Sequence, residues 1–137
     1  MSDGTLRALA AQDGLVGIIG ASVAIGRGYR DWLAAHPDQA AADAAPVVLT
    51  PDDWAAHVRH VIDNVSPDHV GIGLDLVGGR NCVPADASDY PDLIAGLERM
   101  AAAENVDKVA GQNWLRVLDA VGQGSSAANG RPRLASS

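Results

Sequence analysis

Asp75 is the side chain of this 137-residue chain best placed to do chemistry. It closes an otherwise apolar run, residues 69–76 (HVGIGLDL), and a glycine-containing loop follows it. A carboxylate at a buried strand end has to be paired, hydrogen-bonded or metal-bound. In α/β barrels this end of the strands is where catalytic groups sit. Asp75 therefore reads either as a proton-transfer group or as a plain cap on the loop amides. Other reactive side chains carry less. His57 and His60 lie three apart on one predicted helix, but no third convergent ligand accompanies them, so they read as surface or packing histidines. His36-Pro37-Asp38 falls in an alanine-rich stretch that would not hold ligands in place. His69 precedes the strand, far from Asp75, and reads as structural. Cys82 has no evident base to activate it. Arg80, in the loop after Asp75, could reach a substrate carboxylate across the mouth, although a solvated arginine is the ordinary state. Gly71 and Gly73 sit inside the strand and make no phosphate loop. Asn113 is expected to hydrogen-bond nearby backbone.

The elements that would carry these residues follow from periodicity and caps. A short helix is expected over residues 2–12, capped by Ser2 or Asp3 and stopped at Asp13-Gly14. Residues 15–20 (LVGIIG) form an apolar run without alternation, the pattern of a strand buried on both faces. Residues 21–35 are ambiguous, and residues 34–46 read as a surface loop or weak helix. Thr50-Pro51-Asp52-Asp53 opens a helix, with Trp54, Val58, Val61, Ile62 and Val65 on one stripe. The second buried strand ends at Asp75–Leu76, and residues 77–90 form a long loop. Further helices are expected over 91–100 and 106–121, the last turning Val109, Leu115, Leu118 and Val121 to the core. Residues 122–137 read as a disordered tail. Two buried strands joined through a helix make one βαβ unit, but two strands alone make no stable parallel sheet. The expected fold class is α/β, a slice of a larger protein.

Composition narrows the partners. Net charge is −7, which excludes the Lys/Arg surplus that nucleic acid or a polybasic membrane contact needs. No run reaches the roughly 18 apolar residues of a membrane span. One cysteine permits no internal disulfide. Without a recognisable secretion signal, the expected compartment is the cytoplasm. Phe is absent and aromatics make up 4%, so Trp32, Trp54 and Trp114 are expected to supply much of the core's bulk.

Several blocks in order carry a resemblance. Residues 67–79 (PDHVGIGLDLVGG), 86–100 (DASDYPDLIAGLERM) and 111–121 (GQNWLRVLDAV) resemble the end of renal (membrane) dipeptidases. The upstream LTPDDWAAHVRHVIDNV and SDGTLRALAAQDGLVGIIG are similar to that family's preceding helices and seventh strand. The resemblance covers residues 2–121. It implies a C-terminal segment of a (β/α)8 TIM barrel, with residues 15–20 as strand seven and 70–75 as strand eight. It also implies a dipeptide substrate and a water bridged by two zinc ions. On that resemblance Asp75 matches the aspartate that ends strand eight and moves the proton of the bridging water. Val77 stands where the family commonly has a second aspartate. The family's metal ligands and its substrate-binding arginine belong to earlier strands, so no metal ligand is assigned here and this chain alone is expected to bind no zinc. The expectation is a chain inactive by itself. It would be a truncated fragment, one half of a split enzyme completed by an N-terminal half, or a non-catalytic module that forms a homodimer.

Overall fold

The computed structural model describes residues 1–26, 28–37, 49–75, 82–101 and 103–128. Helix α1 (Asp3–Ala10) starts where Ser2 Oγ accepts the Thr5 amide at 3.2 Å. It ends where the Gly14 N–H reaches back to the Leu9 carbonyl at 2.9 Å, across a left-handed Asp13 (φ 58°). Strand β1 (Val16–Ile18) follows, then two short helices, α2 (Ser22–Ile25) and α3 (Tyr29–Ala35). These two helices fall in residues 21–35, which the sequence left open; residue 27 and, of the alanine-rich segment, residues 38–48 lie outside the described residues.

Helix α4 (Pro51–Asn64) opens on a capping box. Thr50 Oγ1 accepts the Asp53 amide at 3.1 Å, and Asp53 Oδ2 accepts the Thr50 amide at 2.9 Å. Its buried stripe is Trp54, Ala55, Val58 and Val61. The Thr50 hydroxyl, hydrogen-bonded to Asp53, is the main cause that holds the Asp53 carboxyl below its ordinary value. A depressed folded-state pKa contributes stability that is present above the unfolded value and lost as pH falls through the folded one. Thr50→Ala should therefore cost about 1 kcal/mol or less at neutral pH, because the pair is exposed to solvent. The difference between variant and wild type should shrink below pH 4, the region of the unfolded carboxylate pKa. Urea midpoints at neutral and acid pH read this directly, and a deficit that persists unchanged at acid pH would count against the bond from the Thr50 hydroxyl to the Asp53 carboxylate.

Strand β2 (Val70–Ile72) pairs parallel with β1 in the register Val16 to Val70, Gly17 to Gly71, Ile18 to Ile72. Side chains alternate across a strand, so the valines and isoleucines share one face and the glycines the other. Helix α4 packs on the sheet, and helix α5 (Tyr90–Ala101) packs on α4 through Leu93 and Leu97, both fully buried. The glycine face is covered by Trp114 of helix α6 (Asn113–Ala128). A methyl group at Gly71 would stand 2.7 Å from the indole nitrogen, so this contact requires glycine. The described part is thus an α/β arrangement of two parallel strands joined through helices. Among the described residues, no helix is long and apolar enough to cross a membrane.

Three expectations are corrected. The last helical stretch contains a π-helical turn, Lys108–Gln112, and α6 runs on to Ala128 instead of stopping at 121. Of the tail, residues 122–128 are therefore helical and 129–137 lie outside the described residues. Leu115, Leu118 and Val121 do not face the core; they are 62–66% exposed, while Val109 is buried as expected. The reason is that α6 docks through Asn113, Trp114 and Arg116, which turns the leucine stripe outward. Of the three tryptophans only Trp54 is fully buried; Trp114 is 37% exposed and Trp32 half-buried.

Candidate active site

The C-terminal ends of both strands meet one loop. The Gly73 N–H donates to the Ile18 carbonyl at 3.2 Å and the Gly20 N–H to the Leu74 carbonyl at 3.3 Å, extending the pairing beyond the strands. The Val83 N–H donates to the Gly20 carbonyl at 2.8 Å, and Ala21 and Cys82 form an isolated antiparallel bridge. Leu74, 7% exposed, anchors the last residue before Asp75.

Asp75 then projects at this rim, exposed, with φ 54°. A non-glycine residue in the left-handed region is uncommon and costs about 1 kcal/mol or more; aspartate tolerates it better than most residues. A buried leucine followed by a left-handed aspartate turns the chain sharply and displays the carboxylate at the strand ends. That is a position from which a carboxylate can exchange protons with a bound substrate.

The other sequence candidates separate from this rim. Arg80 lies outside the described residues, as does Asp38 of the His-Pro-Asp triplet. His36 stacks on Trp32 at 4.6 Å between ring centroids, and its Nδ1 lies 2.9 Å from the Trp32 carbonyl. His57 Nε2 lies 3.3 Å from the Ile25 carbonyl, whereas His60 Nε2 lies 2.9 Å from Asp3 Oδ1 on α1. The two histidines thus engage different elements. His69 Nδ1 meets the Gly14 carbonyl at 2.9 Å, at the opposite end of the strands from Asp75. Among the described residues no group of three or more His, Cys, Asp or Glu side chains is arranged to hold a metal ion.

Sequence reasoning missed how the far end of the sheet is tied. Asn113 Nδ2 donates to the carbonyls of Pro67 (2.7 Å) and Val70 (2.8 Å). These partners are 46 and 43 residues away, not local as expected. Arg116 donates to the carbonyls of Asp13 (3.1 Å) and Asp68 (2.8 Å), which precede β1 and β2. Lys108 Nζ bonds Asp68 Oδ1 at 2.7 Å, the main cause that lowers the Asp68 carboxyl pKa. All these groups brace the N-terminal ends of the strands, the ends opposite Asp75. Asn113 and Arg116 on a predicted helix were the available signal, but their partners could not be read from spacing.

The comparisons with known proteins agree with one another. The family model for membrane dipeptidase (peptidase family M19) matches residues 1–131. Dipeptidase tcpJ of Claviceps purpurea is 38% identical over 76 residues, covering 53% of this chain and 18% of that protein. Dipeptidase verJ of Clonostachys rogersoniana is 40% identical over 70 residues, covering 49% of this chain and 18% of that protein. Dipeptidase ataJ of Aspergillus terreus is 35% identical over 68 residues, covering 47% and 17%. The match therefore spans less than a fifth of each relative's length.

Proposed function

Given that the chain belongs to the membrane dipeptidase family, we propose that it is the closing segment of a zinc-dependent dipeptidase barrel, with β1 and β2 as strands seven and eight. The observation that carries this reading is Asp75, exposed in a left-handed turn at the C-terminal end of a parallel strand pair.

In that role the Asp75 carboxylate takes the proton from the attacking water as its oxygen bonds to the peptide carbonyl carbon. It then returns the proton to the nitrogen as the C–N bond breaks, giving two free amino acids. The zinc ions of the family do not fit the described residues of this chain, which offer no converging set of ligands. They would be held by a complementary segment bearing the earlier strands. In this reading the dipeptide is a substrate of the assembled barrel.

The test is complementation. The chain, Dipeptidase tcpJ deleted of the matching stretch, and a mixture of both are supplied with zinc and assayed for release of free amino acids from a dipeptide panel. Hydrolysis should appear in the mixture alone. Hydrolysis by this chain alone, with bound zinc, would overturn the division of labour. A mixture that neither associates nor hydrolyses would overturn the reading itself.

A further inference from the structure

A left-handed aspartate is a strained conformation, and it persists only where the surrounding structure holds it. Asp75 is the last described residue before the loop, and Cys82 is the first after it. The backbone hydrogen bonds on either side of that loop converge on one residue, Gly20, just beyond β1. Its N–H donates to the Leu74 carbonyl at 3.3 Å, and its own carbonyl accepts the Val83 N–H at 2.8 Å.

The Leu74 carbonyl belongs to the same planar peptide unit as the Asp75 nitrogen. Holding that plane fixes the reference from which the Asp75 φ of 54° is set. Leu74 is buried, so the plane cannot swing without lifting its side chain out of the core. The Val83 bond and the bridge between Ala21 and Cys82 hold the returning chain at the same junction.

Gly20 is itself buried, and this junction admits no side chain. A Cβ at position 20 would collide with the Val83 carbonyl oxygen and stand 2.9 Å from the Val83 carbonyl carbon. Both are backbone atoms, which cannot rotate aside as a flexible side chain can. The glycine is required by the close approach of two backbones.

We propose that Gly20 is a positioning residue for Asp75. By admitting the returning chain and holding the peptide between Leu74 and Asp75, it sets the direction in which the carboxylate is displayed. The inference rests on the reading above that Asp75 carries the proton, and Gly20 acts through the backbone of Asp75 and not on the substrate.

Gly20→Ala forces Val83 away from the junction. Gly71→Ala is the control, since its methyl also displaces a neighbour, the Trp114 indole, but upstream of Asp75 on the glycine face of the strands. The full chain, isotope-labelled, reports the Asp75 φ through its intraresidue distance from amide proton to α-proton, which is short in a left-handed residue. In the wild type that distance should be short, and the Gly20 and Val83 amides should exchange roughly tenfold or more slowly than in an unstructured chain. Gly20→Ala should lengthen the distance and remove the Val83 protection, and Gly71→Ala should do neither. With Dipeptidase tcpJ deleted of the matching stretch as complement, Gly20→Ala should lower kcat by about tenfold to a hundredfold, the cost of misplacing a reacting group by roughly an ångström. KM should stay within about twofold, and Gly71→Ala should keep the wild-type kcat. An unchanged Asp75 conformation or an unchanged kcat in Gly20→Ala overturns the proposal, as do equal losses in Gly71→Ala. If Gly20→Ala fails to fold, the wild type decides: unprotected Gly20 and Val83 amides overturn the proposal, and protected ones beside a left-handed Asp75 support it. Full activity in Asp75→Asn would overturn the role of Asp75 in the dipeptidase reading, whereas the spectroscopic comparison needs no complement and bears on Gly20 alone.

Discussion

Trp54→Ala should lower the stability of the chain by about 3–5 kcal/mol and move its urea midpoint far below that of the wild type. Trp54 is fully buried at the centre of the cluster formed by Ile18, Val58, Val70, Leu93 and Leu97. Its indole N–H also donates to the Ile18 carbonyl at 3.1 Å, joining α4 to β1. Truncating a buried tryptophan costs about 3–5 kcal/mol, from lost transfer free energy and the cavity left behind. Domains of this size commonly have roughly 5–15 kcal/mol in total. Trp54→Phe retains most of the volume and loses the hydrogen bond, so it should cost nearer 1–2 kcal/mol, within the range for a lost bond plus a small cavity. Urea titrations followed by far-ultraviolet circular dichroism separate the three proteins. If the alanine variant keeps the wild-type midpoint, the core is not organised around this indole.

The second large effect concerns chemistry alone. In the assembled dipeptidase, Asp75→Asn should lower kcat by about 10² to 10⁴, the usual contribution of a positioned general acid–base. KM and folding should hardly change, because the side chain is exposed at the rim. Asparagine is the appropriate variant because, like aspartate, it accepts a left-handed backbone. Alanine at φ 54° would add strain and confuse structure with catalysis. Steady-state kinetics of the complemented enzyme make the comparison, and full activity in Asp75→Asn would remove this carboxylate from the reaction.

Local chemistry made much of the chain readable in advance. Thr50, Pro51 and Asp53 announce α4 because a cap, a proline and an acid at a helix start act within one turn. Ser2 does the same for α1. The apolar runs around Ile18 and Ile72 are strands without alternation, as sheets covered on both faces require. Asp75 stood out because a charge at the end of such a run has to be displayed or satisfied.

What lay beyond the sequence involves partners distant along the chain. Val109, Leu115, Leu118 and Val121 looked like one core stripe, yet a π-helical turn and the long-range bonds of Asn113 and Arg116 set a different face against the sheet. Trp114 covers Gly17 and Gly71 because only glycine admits a ring there, a match between residues up to 97 positions apart in sequence, from 17 to 114. Apolar content, caps and the strand-end aspartate are local properties, and the sequence by itself determined them. Which helix face docks, and which edge of β1 pairs with β2, was decided only in three dimensions, since both depend on hydrogen bonds between segments whose separation no periodicity encodes.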